Sequence, residues 1–388
     1  MKKLIVIAAS GLLVLSPASA ADKVKIGFLS TLSGPLAVLG TEAQDGFNLA
    51  LRENNNKVGG LPVEVLVGDD QASPDAGKQA ADRMLKRDKV DFMTGVLFSN
   101  VLLTIAPSVF AAKVFYISSG AGPAALAGAQ CNPFFFGIGW QNDGQSEAMG
   151  QYLKENGFKN VYLLAANYAG GKDNITGFKR TFDGGIVGES YVKLGALDFS
   201  SELAEIRATK GDALFFFLPG AMGTNFIKQY VAAGLDKQMP LFAPGYDADE
   251  DTIAGVGAPM IGLRNASHWA WDLDNPANKH FVEAFQSAYR RYPSVFSFQG
   301  YEAFNLIARA VSDVKGSLED KDALRDAIKA ARFASARGDF KFNTNQFPIQ
   351  NYYLRVVQKD GTGTITNKTI GTIFKNHSDP YASLCPMQ

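Results

Sequence analysis

Short apolar runs alternate with amphipathic segments through the first third of the chain. Val24–Leu29, Pro62–Val67 and Val114–Ile117 are mostly apolar and have the length of strands, while residues 40–54 place apolar side chains at helical spacing. A period near 3.6 residues indicates a helix, and a short apolar run between turns indicates a buried strand. Regular alternation of the two predicts a parallel sheet covered by helices on both faces.

The alternation restarts after the polar segment 140–144 and continues to about residue 243. Three helical segments follow, at residues 275–291, 298–314 and 320–331, and the chain then ends in two alternating segments that resemble an antiparallel hairpin. Three helices need a sheet to cover, so we predict that the chain returns to the first lobe for the helices and to the second for the last strands. The predicted fold is α/β, with two Rossmann-like lobes joined by a three-crossing hinge.

The predicted boundaries follow from these returns. Lobe 1 comprises residues 21–139 and 270–345, and lobe 2 comprises residues 140–269 and 346–388. The crossings are expected near residues 139–143, 265–272 and 344–350. A cleft between two hinged lobes is a natural place for a ligand.

Two turns at the ends of predicted neighbouring strands carry groups that suit an anion. Ser99 follows the run 90–96 and precedes an apolar helical pattern, and Gly120 follows the strand 114–117. We predict that Ser99 is the N-cap of its helix, where free backbone N–H groups favour a negative ligand. Ordinary helix capping, without a ligand, explains the same residues equally well.

The charge balance and the N-terminus indicate an exported protein without a nucleic-acid partner. Lysine plus arginine and aspartate plus glutamate each number 38, which leaves no basic surplus for nucleic acid. Met1–Ala20 has Lys2-Lys3, an apolar run and small residues before Ala21, as in a secretory signal peptide. We expect cleavage after Ala20 and a periplasmic location. Cys131 and Cys385 then lie in an oxidising compartment, which predicts one disulfide, with two buried thiols as the alternative.

Several motifs in this order resemble the type I periplasmic solute-binding proteins, in the leucine/isoleucine/valine-binding branch of ABC-importer receptors. They are Ile26–Pro35, Gly95–Ser99, Phe115–Ala121, Tyr168 and the turn 245–247. The resemblance spans essentially the whole mature chain. It implies a protein that closes over a small solute and hands it to an inner-membrane ABC permease, without catalysis and without a cofactor. We also expect a monomer.

The same resemblance implies which residues contact the ligand. Its carboxylate is expected at Ser99 and at the turn formed by Gly120, Ala121 and Gly122, although Gly122 replaces a threonine that supplies a hydroxyl in relatives. The rest of the ligand is expected to contact Leu39, Phe98, Tyr168, Tyr246, Asp247, Phe296 and Phe298.

The ligand class is less constrained by these residues. In amino acid-binding relatives an acidic residue near the turn 244–247 pairs with the ligand ammonium, and either Tyr246 or Asp247 occupies that position here. Aromatic walls favour a flat apolar ligand, and Phe134–Phe136 and Gly170–Asp173 resemble the branch that binds lignin-derived aromatic acids. We therefore favour an aromatic acid such as a benzoate, a phenylacrylate or an aryl 2-oxo acid. A branched-chain or other amino acid is the alternative, and a soluble ligand-sensing receptor is a second.

Other chemistry has little support in the sequence. His268, His280 and His377 are scattered without ligand spacing, so we expect no metal site. No Gly-x-Ser-x-Gly motif of a serine hydrolase occurs, and Gly170-Gly171-Lys172 lacks the spacing of a phosphate-binding loop.

Overall fold

The computed structural model describes residues 22–387, so the predicted signal peptide and its cleavage after Ala20 lie outside the described residues. The first part of the chain builds a sheet with strand order β2-β3-β1-β4-β5-β6, in which only the short β2 is antiparallel to its neighbour. We call this sheet and the helices packed on it the first lobe. Its elements, in chain order, are β1 (Val24–Ser30), α1 (Ala37–Glu53), β2 (Lys57–Val58), β3 (Leu61–Asp69), α2 (Pro74–Arg83), β4 (Phe92–Thr94), α3 (Ser99–Ala111), β5 (Phe115–Ser118), α4 (Ala124–Ala127) and β6 (Phe135–Gly137).

The second sheet has eight strands and forms, with its helices, the second lobe. The middle of the chain supplies α5 (Gly144–Glu155), β7 (Asn160–Ala166), α6 (Ala169–Thr181), β8 (Gly185–Val192), α7 (Ser200–Ala208), β9 (Ala213–Phe217), α8 (Ala221–Ala232), β10 (Leu241–Pro244), α9 (Glu250–Val256) and β11 (Arg264–Ser267). The rest supplies α10 (Pro276–Tyr289), α11 (Val295–Asp313), α12 (Lys321–Ala330), β12 (Lys341–Phe342), β13 (Pro348–Lys359) and β14 (Ile365–His377). Strands β7 to β11 pair in parallel, and β11–β13, β12–β13 and β13–β14 pair antiparallel.

The predicted returns of the chain are present. Helices α10 and α11 pack on α1 of the first lobe, whereas β13 and β14 extend the second sheet. The predicted α/β fold with two lobes is thereby confirmed. Strand β12 lies within the range predicted for lobe 1 but pairs with β13 of the second sheet.

Helices α1 and α11 approach each other closely because glycines lie at their crossing. A side chain at Gly46 would overlap the carbonyl of Ser297, and one at Gly300 would overlap the carbonyl of Ala43. The helices therefore pack backbone to backbone, and α11 is buried along most of its length. This contact holds the C-terminal helices firmly on the first lobe.

Two local predictions differ from the structure. Ser99 is the first helical residue of α3, and the extended residue before it, Phe98, occupies the N-cap position. The prediction that Ser99 caps α3 is therefore wrong. Helix α11 begins at Val295 rather than at Phe298, because Ser294 caps it by accepting a hydrogen bond from the Ser297 N–H.

Cys131 and Cys385 form a disulfide, as the export signal predicted. It joins the loop before β6 in the first lobe to the tail that follows β14. Within residues 22–387 no helix has both the length and the apolar composition needed to cross a bilayer.

Candidate ligand-binding site

A cavity of about 380 Å³ lies between the two lobes, at the carboxyl ends of the parallel strands of both sheets. Open α/β sheets bind ligands at this edge, where strands end in loops and helix N-termini. The first lobe lines it with Leu39, Leu97, Phe98, Ser99, Gly120 and Phe296. The first crossing contributes Trp140 and Asn142, and the second lobe contributes Tyr168, Asn174, Phe217, Pro219, Tyr246 and Asp247.

The lobes touch beside this cavity through aspartates of the second lobe. Asp249, just before α9, accepts a hydrogen bond from the Val295 N–H at the start of α11 in the first lobe. Asp173 on α6 accepts one from the Ala124 N–H at 3.1 Å, at the start of α4. The structure therefore has the two lobes in contact around the cavity.

Eight of the eleven residues predicted to contact the ligand line the cavity, and three do not. Phe298 is buried and stacks on Trp269, with ring centroids 4.7 Å apart. The reason is the phase of α11: residues two positions apart differ by about 200° around a helix, so Phe296 and Phe298 cannot face the same side. Because the helix begins before both, only Phe296 reaches the cavity.

Ala121 and Gly122 also fail to line the cavity, and their backbone donors are occupied. The Ala121 N–H donates to the Val96 carbonyl at 3.2 Å, and the Gly122 N–H donates to Asn142 Oδ1 at 3.0 Å. A side chain at Gly122 would overlap the Trp140 carbonyl, so the turn has no room for the threonine found in relatives. The predicted carboxylate contacts at these two residues do not fit the structure.

Ser99 and Gly120 remain as the donors of the first lobe. Ser99 is buried at the start of α3, where the first backbone N–H groups of a helix lack intrahelical partners. No lysine, arginine or histidine lines the cavity among the described residues. An anion here would be stabilised by hydrogen bonds from uncharged donors and by the N-terminus of α3.

Aromatic rings form most of the wall. Trp140 contacts Tyr246 and Phe296, with centroids 5.0 Å and 6.0 Å apart, and Tyr168 contacts Phe98 and Phe217, both at 5.9 Å. The Trp140–Phe296 and Phe98–Tyr168 pairs meet edge to face, which leaves ring faces and edges to contact a planar ligand.

Asp247 is the only acid on the cavity wall within residues 22–387. One carboxyl oxygen accepts the Leu218 N–H, and the other has no hydrogen-bond partner. Full burial raises the pKa of Asp247 well above its ordinary value, which favours the protonated carboxyl. The Tyr168 hydroxyl likewise forms no hydrogen bond with the described residues, and burial raises its pKa.

Arg355 holds the turn that carries Tyr246 and Asp247. Its buried guanidinium donates to the Gly245 carbonyl at 3.0 Å and to Asp249 at 3.0 Å. A strand of the C-terminal hairpin thus positions one side of the cavity.

Sequence reasoning missed Leu97, Trp140, Asn142, Asn174, Phe217 and Pro219. Trp140 and Asn142 lie in the polar segment recognised as the first crossing, and Phe217 ends a strand of the second sheet. The rule that ligands lie beyond the carboxyl ends of parallel strands, applied to β9, would have identified Phe217 and Pro219. Asn174 carries no such signal, because it lies on the second turn of a helix.

Two lobes that meet over a small cavity at their strand ends define a two-lobed solute-binding protein. The family model described as "Periplasmic binding protein" matches residues 23–362. The chain therefore belongs to this family of non-catalytic proteins, and it is a substrate-binding component of an ABC transporter.

Individual relatives extend this result. A solute-binding protein from R. palustris, solved in complex with benzoate, is 30% identical with a TM-score of 0.88, over 92% of this chain and 98% of that one. A second R. palustris protein, in complex with 4-hydroxybenzoate, is 28% identical with a TM-score of 0.86, over 92% and 99%. "Leu/Ile/Val-binding protein homolog 6" of Brucella abortus (strain 2308) is 29% identical, over 98% of this chain and 99% of the relative.

Proposed function

We propose that this protein binds a small aromatic carboxylate between its lobes, such as a benzoate, a phenylacrylate or an aryl 2-oxo acid, and delivers it to an inner-membrane permease. The observation that carries the proposal is an aromatic-walled cavity with uncharged donors at one side, in which the one acid among the described residues, Asp247, has a pKa raised by burial. The structural relatives solved with benzoate and 4-hydroxybenzoate support the same ligand class.

In the proposed complex the carboxylate accepts hydrogen bonds from the Ser99 hydroxyl and the Gly120 N–H. The ring then lies among Trp140, Tyr168 and Phe296, which face the cavity from both lobes and from the first crossing. The polarity of the wall, rather than its size, distinguishes an aromatic acid from an amino acid.

An amino acid remains the alternative ligand because Asp247 could pair with its ammonium group. A ligand ammonium placed against its unpartnered oxygen would ionise the carboxyl and form a buried ion pair. The relative named as a Leu/Ile/Val-binding protein homolog supports this alternative. An aromatic acid requires no such ionisation, and a carboxyl that remains protonated costs nothing in desolvated charge.

The proposal extends to the mechanics of capture. The protein acts as a monomer in the periplasm after cleavage behind Ala20, and it opens about crossings near residues 139–143, 265–272 and 344–350. Opening separates Asp173 from Ala124 and Asp249 from Val295, the contacts that join the lobes around the cavity.

A binding panel tests the ligand class. Protein freed of retained ligand by unfolding and refolding, with its disulfide kept oxidised, is titrated with benzoate, a phenylacrylate and an aryl 2-oxo acid, and separately with leucine, isoleucine and valine. We expect saturable binding heat and a raised melting temperature with at least one of the aromatic acids and with none of the three amino acids. Stabilisation by the three amino acids, with none by the aromatic acids, would replace the proposal by its alternative.

A further inference from the structure

Asn142 makes three hydrogen bonds beside the cavity, and together they fix the orientation of its amide. Its Oδ1 accepts from the Gly122 N–H at 3.0 Å, and its Nδ2 donates to Ser99 Oγ and to Asp173 Oδ2, both at 2.9 Å. A backbone N–H only donates, so Gly122 determines which side of the amide is oxygen. Both protons of the amide nitrogen are then assigned, one to Ser99 and one to Asp173.

This arrangement determines what the Ser99 hydroxyl can do. A hydroxyl has one proton to donate and two lone pairs to accept with. Ser99 Oγ accepts from Asn142, and no residue in the described part of the chain accepts the Ser99 proton. Because Ser99 lines the cavity, its proton is available to a ligand there.

The third bond of Asn142 depends on the contact between the lobes. Asp173 belongs to α6 of the second lobe, and its Oδ2 accepts from both Asn142 and the Ala124 N–H of the first lobe. Burial raises the pKa of Asp173 to about 6, so the carboxylate is ionised and accepting at neutral pH. Nearby Asp143 raises this pKa further, and Arg180 opposes the rise.

We propose that Asn142 is a positioning residue that turns the Ser99 hydroxyl into a donor for the ligand carboxylate, and that Asp173 fixes Asn142 when the lobes close. The inference rests on the proposed function, in which a carboxylate lies at Ser99. Asn142 thus links the first crossing of the hinge to the carboxylate site. Closure of the lobes fixes its amide, and the amide leaves the Ser99 proton free for a carboxylate.

A double-mutant cycle tests whether Asn142 acts through Ser99. Calorimetric affinities for benzoate are measured for the wild type, Ser99→Ala, Asn142→Ala and the double variant. We expect Ser99→Ala to weaken binding by about tenfold or more, since a hydrogen bond to a charged group is lost. Asn142→Ala should weaken it by about 3- to 10-fold, and the double variant should be within about twofold of Ser99→Ala.

Asn174→Ala is the matched control for this cycle. Asn174 is another buried asparagine on the cavity wall, but it bonds to Gly170, Ser146 and Tyr246 and not to Ser99. The fold-loss in benzoate affinity caused by Asn174→Ala should multiply with the fold-loss caused by Ser99→Ala when the two changes are combined. If the Asn142 and Ser99 effects multiply in the same way, the inference is overturned while the proposed function stands.

Variants at Asp173 test the second link without removing Asn142. Both hydrogen bonds go to one oxygen of Asp173, so Asp173→Asn retains them and Asp173→Ala removes them. We expect Asp173→Asn to bind benzoate within about twofold of the wild type and Asp173→Ala to bind it at least about fivefold more weakly. Equal losses in the two variants would overturn the link. Unchanged affinity in Ser99→Ala would instead show that the ligand carboxylate does not lie at Ser99. That result would overturn both the proposed site and this inference.

Discussion

Replacing Asp247 by asparagine distinguishes the two ligand classes. In the structure Asp247 lines the cavity, and one of its carboxyl oxygens accepts the Leu218 N–H while the other has no hydrogen-bond partner. Burial raises the pKa of Asp247 well above its ordinary value, which favours the neutral carboxyl. Asparagine reproduces that state closely, because its oxygen can accept from Leu218 and its NH₂ group can take the place of the acid O–H.

The expected magnitude depends on whether a cation enters the cavity. With an aromatic acid no ammonium meets Asp247, and we expect Asp247→Asn to change the binding free energy by less than about 1 kcal/mol, or roughly fivefold. With an amino acid the variant would leave a buried ammonium unpaired. That loss is about 3–5 kcal/mol, or roughly 100- to 5,000-fold in affinity.

Isothermal titration calorimetry in two buffers of different ionisation enthalpy provides the assay. An ammonium that pairs with Asp247 would displace the carboxyl proton, and the heat of binding would then depend on the buffer. We expect no proton release from Asp247 with benzoate. Asp251→Asn is the matched control, because Asp251 also has buried carboxyl oxygens without a hydrogen-bond partner but does not line the cavity. A loss of 100-fold or more for benzoate in Asp247→Asn alone would refute the reasoning.

Three further outcomes follow from the structure. Burial raises the pKa of Glu42 to about 7 against an opposing Arg291, so the stability that it contributes is present at pH 5 and is lost as the pH rises through about 7. At pH 8, Glu42→Gln should therefore raise the free energy of unfolding by up to about 3 kcal/mol relative to the wild type, which is measured as a higher melting temperature. At pH 5.5 the difference should be smaller. Reducing the Cys131–Cys385 disulfide should lower the unfolding free energy in denaturant melts by roughly 2–5 kcal/mol, since it closes a loop spanning 254 residues. Gly300→Ala should cost at least about 1–3 kcal/mol in the same assay, because the added methyl would overlap the backbone of α1.

Strand ends made much of the site predictable from the sequence. Ser99, Gly120 and Tyr168 each follow a run that becomes a parallel strand, and parallel strands direct their following loops to one edge. The apolar runs were long enough to place β4 and β5 within a residue or two, and that accuracy sufficed for the loops beyond them.

Helix phase and amide orientation were beyond such reasoning. Phe296 and Phe298 were both expected to contact the ligand, but the cap at Ser294 starts α11 before either residue and so places them on different sides of the helix. The role of Asn142 depends on three partners that lie 20, 43 and 31 residues away in the chain. Nothing in its own segment shows that these groups meet.

A crystal structure of the ligand-free protein soaked or co-crystallised with benzoate tests most directly whether uncharged donors hold an aromatic carboxylate between the lobes. We expect a carboxylate oxygen within hydrogen-bond distance of Ser99 Oγ and of the Gly120 nitrogen, with the ring against Trp140 and Phe296. A benzoate bound elsewhere, or one whose carboxylate points to Asp247, would contradict this arrangement.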